Sequence, residues 1–198
     1  IDAALAIAAI PLIFLYQGRN TSFFRSSNKE NTLEKTLYKL PNKEKLLELE
    51  RIAKVNGSGI EFDSLVGDWS FISVWEKDTN KEDSVFSSLL RFFSANLGIK
   101  KNISTLNSPK FSISASIKFG LFSIEFSGAG YLKGEQPFLT FFFNIIKLRS
   151  GSNILMSRSL EEPIEEKKSF FALIASEKNG EWLSARGQGG ALLLWKRK

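Results

Sequence analysis

The sequence predicts a mainly β protein: an antiparallel barrel with N-terminal helical segments and a short helix after the first strand. Three observations carry this. Phe111, Ile113, Ala115 and Ile117 alternate with Ser112, Ser114 and Ser116. Alternation with period two puts one dry and one wet face on an extended chain. Further runs follow at short spacing, with Ile124 and Phe126 between polar residues, then Phe138 to Leu148. Such strands joined by tight turns make a meander, which must close on itself or be covered to hide its apolar face and edges.

The turns are legible. Phe119-Gly120-Leu121 breaks the first alternation, and Gly134 to Pro137 separates the second run from the third. Gly128 and Gly130 sit inside a strand pattern, which marks a bulge or a close backbone approach. The third run is apolar on nearly both faces, so something besides a barrel interior should cover it.

The 198 residues suffice for one domain with a sizeable core plus an appendage. There is no Cys, which excludes disulfides and thiolate chemistry, and no His, which removes the commonest general acid/base and most transition-metal ligands. An enzyme is not predicted, and no cofactor is required. The net charge is +6, but Lys and Arg are interspersed with Asp and Glu and form no nucleic-acid module.

Residues 1–16 read IDAALAIAAIPLIFLY, with fourteen uncharged residues from Ala3 onward. A bilayer span takes about 17–25 apolar residues. Three readings stay open: a signal-peptide core, a helix docked on the globular domain, or a membrane anchor. Arg19, Arg25 and Lys29 follow, which would keep the main domain on the stromal or cytoplasmic side. Residues 17–41 read as a linker, with a short helical face of Leu33, Leu37 and Leu40 before Pro41. Residues 42–198 form the barrel domain with its leading helix.

That helix is expected from Asn42 to Val55, with Leu46, Leu49, Ile52 and Ala53 on its apolar face, a solvated charged face, and Asn56-Gly57 as the stop. It is expected to cap the barrel. Trp69, Phe71, Ser73 and Trp75 alternate on one face of the next strand. Gly67 two residues before Trp69 is the pattern that opens lipocalin-like barrels. Asp83 to Asn96 has helical spacing and would lie over the barrel mouth. Asn153 to Ser159, Ser169 to Ser176, Glu181 to Arg186 and Gly190 to Lys196 are later strands, the last two joined by a Gly-rich turn. That turn lacks the following helix a phosphate site needs. Glu161, Glu162, Glu165 and Glu166 surround Pro163 without a partner motif and read as a solvated loop.

Alternation places Trp75, Phe111, Ile113, Ile117, Phe126, Phe141 and Phe143 on the inward face, as the lining for an apolar ligand. A one-residue slip in any strand would invert it.

The order KEKLLELERIAKVNG, LVGDWSFISVW, IEFSGAGYLKG, KLRSG, SFFALIAS and EWLSARGQGGALLLWKR resembles the plastid lipid-associated proteins, also called fibrillins, over residues 43–198. The terminal Trp-Leu-x-x-Arg-Gly before an apolar strand is its sharpest part. The resemblance implies a lipocalin-like barrel at the thylakoid membrane of a chloroplast or cyanobacterium. It implies binding of an apolar molecule such as a lipid, quinone or carotenoid, and thylakoid lipid as partner. It also implies that Trp69 closes the barrel base under an arginine, either Arg186 or Arg197. An alternative role is an accessory or assembly subunit of a photosynthetic membrane complex, with the barrel as a structural module. Interior space discriminates the two.

Overall fold

The computed structural model describes residues 40–76, 95–102, 110–134, 137–177 and 180–198. Among the described residues two helices, α1 (Lys43–Asn56) and α2 (Phe62–Leu65), precede nine strands: β1 (Gly67–Trp75), β2 (Asn96–Asn102), β3 (Lys110–Phe119), β4 (Phe122–Lys133), β5 (Phe138–Ser150), β6 (Asn153–Ser159), β7 (Ser169–Ser176), β8 (Trp182–Gly187) and β9 (Leu192–Arg197). The expected apolar segment 1–16, nearly all of the linker 17–41 and most of the expected helix Asp83 to Asn96 lie outside the described residues.

All strand pairings are antiparallel, in the order β4-β3-β2-β1-β9-β8-β7-β5-β6, and β4 also pairs β5. Eight strands therefore form a ring, and β6 stands outside it. Strand β5 makes this possible by its length. Phe138–Phe141 pair β7 inside the ring, while Ile145–Ser150 pair β6 beyond it.

The expected meander of three strands is present as β3, β4 and β5. Strand β2, however, falls where a helix stop was expected. Asn96-Leu97-Gly98 pairs with both β1 and β3. Its NLGIKKN sequence has too few alternating apolar residues to announce a strand, and its neighbours hold it in place.

Helix α1 starts one residue later than expected because Asn42 is its N-cap, its side chain accepting from the Lys45 amide at 3.0 Å. The helix does not cap an end of the ring. It lies on the outer wall, where Leu46 packs with Trp75, Ile174, Leu192 and Leu194. Its buried stripe is Leu46, Glu50 and Ala53, and Ile52 is 46% exposed. The expected solvated charged face is thus broken by one buried carboxylate, Glu50.

Trp75 is a second correction. The register of β1 against β9 shifts between Phe71 and Ser73. One extra residue in a strand turns everything after it to the other face. Trp69 and Phe71 point into the ring, Val74 returns to it, and Trp75 joins the outer cluster under α1.

The outer face of β5 is covered as its two-sided apolar pattern requires. The segment after β6 folds back across it. Lys168 lies 5.0 Å from the Phe142 ring and 5.6 Å from Tyr131, and it pairs with Glu162 (2.8 Å) and Glu165 (3.1 Å). The Tyr131 hydroxyl donates to Glu165. Burial first, and then this bond to a carboxylate, raise the Tyr131 pKa, so the phenol stays protonated. Two of the four clustered glutamates therefore clamp the loop rather than simply facing solvent.

Candidate functional site

One end of the ring is closed by Trp69. Its side chain is fully buried, and Nε1 donates to the Leu65 carbonyl at 2.9 Å. The Arg197 guanidinium stacks on the indole, 4.3 Å from the ring centroid. Arg197 also donates to three carbonyls: Nε to Gly180 (2.6 Å), Nη1 to Val66 (2.7 Å) and Nη2 to Ser64 (2.8 Å). The fork of N–H donors on a planar group suits this; a lysine ammonium lacks that geometry. Of the two arginines left open by the sequence, Arg197 takes the closing position.

Arg186 does different work. It lies on the outer wall, donates from Nε to Glu50 at 3.1 Å, makes a second bond to the other Glu50 oxygen, and reaches the Gly190 carbonyl at 2.9 Å. Lys54 joins at 3.2 Å. Burial pushes the Glu50 pKa up, but the bonds and charges of Arg186 and Lys54 outweigh it and hold it below the ordinary carboxylate value. A depressed folded pKa means that this pair supports α1 above the unfolded pKa, and that the support fades as pH falls through the folded value.

Gly67 in the Gly-x-Trp pattern has a physical reason. Its φ is +152°, and a Cβ there would lie 2.3 Å from Arg197 Nη1. The position must be bare for the guanidinium to reach the Val66 carbonyl. Beside it, Phe62 of α2 stacks on Phe111 at 4.1 Å, and Lys101 pairs with Asp63 at 3.1 Å while lying 5.5 Å from the Phe62 ring.

Inside the ring, large residues face small ones. Phe111 opposes Gly130, Ile113 opposes Gly128, and Ala115 opposes Phe126. Across β4, Gly130 and Gly128 oppose Phe141 and Phe143. The two glycines leave the volume that the flanking rings occupy. The register between β4 and β5 shifts at Ser127/Gly128, so both readings of those glycines, bulge and close approach, hold.

An aromatic band crosses the interior. Ring centroids are 5.4 Å apart for Phe126–Phe143, 5.6 Å for Phe141–Phe143, 4.9 Å for Phe141–Phe171 and 5.4 Å for Phe171–Trp195. Phe71 pairs with Trp195 across β1 and β9. Burial divides the interior. Trp69, Phe111 and Phe141 are 0% exposed, whereas Phe71, Phe126, Phe143, Phe171 and Trp195 keep 5–8%. Hydrophobics only partly buried against the core lie at both ends: Phe62, Val66 and Leu132 toward Trp69, and Ile124, Ile146 and Leu193 toward the other end.

The seven predicted lining residues thus separate into three groups. Phe111, Ile113 and Phe141 are packed into the closed half. Ile117, Phe126 and Phe143 face the other half. Trp75 is outside. Sequence reasoning missed Phe171 and Trp195, because SFFALIAS and ALLLWKR are apolar on both faces and give no alternation to read. Among the described residues no group of three or more acidic side chains is placed to hold a metal ion, and no helix is long and apolar enough to cross a membrane. No protein-family model, curated protein or solved structure matches this chain.

Proposed function

We propose that this is a non-enzymatic, lipocalin-like protein that holds one apolar small molecule in the half of the ring away from Trp69. The observation that carries this reading is the aromatic band. It forms a floor across the ring, and Ile117, Ile124, Ile146 and Leu193 stand beyond it. A closed ring of eight strands has an interior that side chains just fill or that holds one small ligand. Packing against an apolar wall favours a ligand by roughly 25 cal/mol for each Å² removed from water. A lipid tail, a quinone or a carotenoid end ring fits this chemistry. No charged group is needed to hold it. The resemblance to plastid lipid-associated proteins supports the same ligand classes and a thylakoid setting, on the stromal or cytoplasmic side.

Trp195 lies in the floor and Trp182 on the outer wall. Titration with a short-tailed benzoquinone is expected to quench tryptophan fluorescence saturably in the native protein and in Trp182→Phe. In Trp195→Phe most of the saturable component should vanish. Linear, collisional quenching that is equal in all three proteins would refute the binding site.

A second reading is favoured by one observation, the full burial of Trp69, Phe111 and Phe141, each 0% exposed. In that reading the ring is a rigid module, and the protein is an accessory or assembly subunit of a photosynthetic membrane complex. It predicts no saturable quenching at all.

A further inference from the structure

Two hairpin tips meet at the end of the sheet away from Trp69. The β3–β4 turn carries Leu121, with Phe122 opening β4, and the β5–β6 turn carries Gly151 and Ser152. Phe122 pairs with Ser150, Ser150 with Asn153, and the Gly151 amide donates to the Leu121 carbonyl at 2.7 Å. The two turns therefore form one edge of a continuous three-stranded flap, β4-β5-β6.

This flap is apolar where it is exposed. Leu121 is 78% exposed and Leu155 56%, with Phe122, Ile154 and Met156 also exposed. All seven residues of β6 are exposed. Scattered single apolar residues are ordinary, but here five lie at one tip, two at the start of β4 and three on β6, with β5 between them. The charge around the patch is net positive. Residues 117–125 and 144–159 hold Lys118, Lys147, Arg149 and Arg158 against the single acid Glu125, a balance of +3. Glu125 is itself paired with Arg149 at 3.2 Å. The backbone of the β4–β5 tip suits immersion. Strands β4 and β5 are paired on both sides there and the Leu121 carbonyl at the turn has a donor, whereas β6 pairs only with β5 and its open outer edge must stay at the hydrated headgroup level. A bare carbonyl would resist leaving water.

We propose that this double tip is a docking surface for an anionic lipid bilayer. Leu121, Phe122, Ile154, Leu155 and Met156 enter the headgroup–acyl boundary, while Lys118, Lys147 and Arg158 lie against lipid phosphates. An amphipathic surface binds in this way, by apolar burial plus attraction to anionic headgroups. A polar protein surface would offer the five apolar side chains nothing. Docking here turns the ring's Ile124 and Ile146 end toward the bilayer. The inference rests on the membrane setting proposed above and names the surface that makes it, but it does not need a ligand inside the ring.

The test is co-sedimentation of the full chain with vesicles. One set is phosphatidylcholine alone and the other is phosphatidylcholine with one-third phosphatidylglycerol. The chain is expected to bind the second set preferentially and to release in high salt. Each basic residue near such a surface contributes roughly fivefold in partitioning. Lys118→Gln with Arg158→Gln should therefore lower partitioning roughly 25-fold. Leu121→Ser with Leu155→Ser should lower it by at least about tenfold. All four positions are exposed, so the variants keep the fold. Quinone quenching measured on the same variants without lipid should be unchanged, which separates failure of the docking surface from failure of the interior site. Equal partitioning of native chain and variants would overturn the proposal. So would a tip whose substitution abolishes only self-association of the chain in solution.

Discussion

Trp69→Ala is expected to destabilise the protein by about 3–5 kcal/mol, a large share of the roughly 5–15 kcal/mol that holds an ordinary domain folded. The indole is fully buried, carries a hydrogen bond to Leu65 and supports the Arg197 guanidinium. Its removal leaves a cavity, and it also strips the arginine of the face on which it stacks. Arg197→Ala should cost a similar amount by a different route. Three carbonyls in the closed end, those of Ser64, Val66 and Gly180, lose their donor together. These bonds are part-buried, so each acceptor left without its partner costs toward the low end of about 1–3 kcal/mol. Arg197→Lys restores the charge but not the fork, so most of the loss should remain. Urea unfolding followed by far-ultraviolet circular dichroism measures all three. A loss under about 1 kcal/mol for Trp69→Ala would show that the pair does not hold the ring closed.

Gly128→Ala is the second large effect. A Cβ at this position would sit 1.9 Å from the Phe142 carbonyl oxygen and 2.8 Å from the Phe143 Cα. Both obstacles are backbone, so no side chain can rotate away. The bulge at Ser127/Gly128 would have to open, and with it the contact of Phe143 with Phe126 and Phe141. A loss of about 3 kcal/mol or more is expected for a single methyl group, the scale of severe overpacking. Gly189→Ala is the control. Nothing lies within 4 Å of its added Cβ, and stability should stay within about 0.5 kcal/mol of the native chain. Equal behaviour of the two variants would remove the case for a packed β4–β5 interior.

Much of this fold is written in local patterns. Strands β3 and β4 are half-buried, so Ser and apolar residues alternate and the face can be read directly. The helix boundary is legible because Asn42 caps and Asn56-Gly57 stops. Three things are illegible for stated reasons. The flip of Trp75 comes from a bulge in β1 whose cause is the pairing with β9, a partner more than a hundred residues away. Glu50 reads as solvent-facing because its ion-pair partner, Arg186, is equally distant in sequence. Strand β2 has weak intrinsic preference and is made by its neighbours β1 and β3. The same limit shaped the site. Phe126 and Phe143 could be assigned inward, while Phe171 and Trp195, on strands buried on both faces, could not. The choice between Arg186 and Arg197 turned on which neighbours lie within reach, and only the closed ring shows that.

An apolar molecule held in the ring half beyond the aromatic band should survive gentle purification. The most direct test is to purify the full chain gently from the cells that make it, extract it with organic solvent and quantify the extract by mass spectrometry. One quinone, carotenoid or lipid species is expected at close to one molecule per chain, lost from a Trp195→Ala with Phe143→Ala variant. Extraction of no stoichiometric apolar species, from a chain that migrates with a membrane complex on a native gel, would contradict it and establish the ring as a structural module.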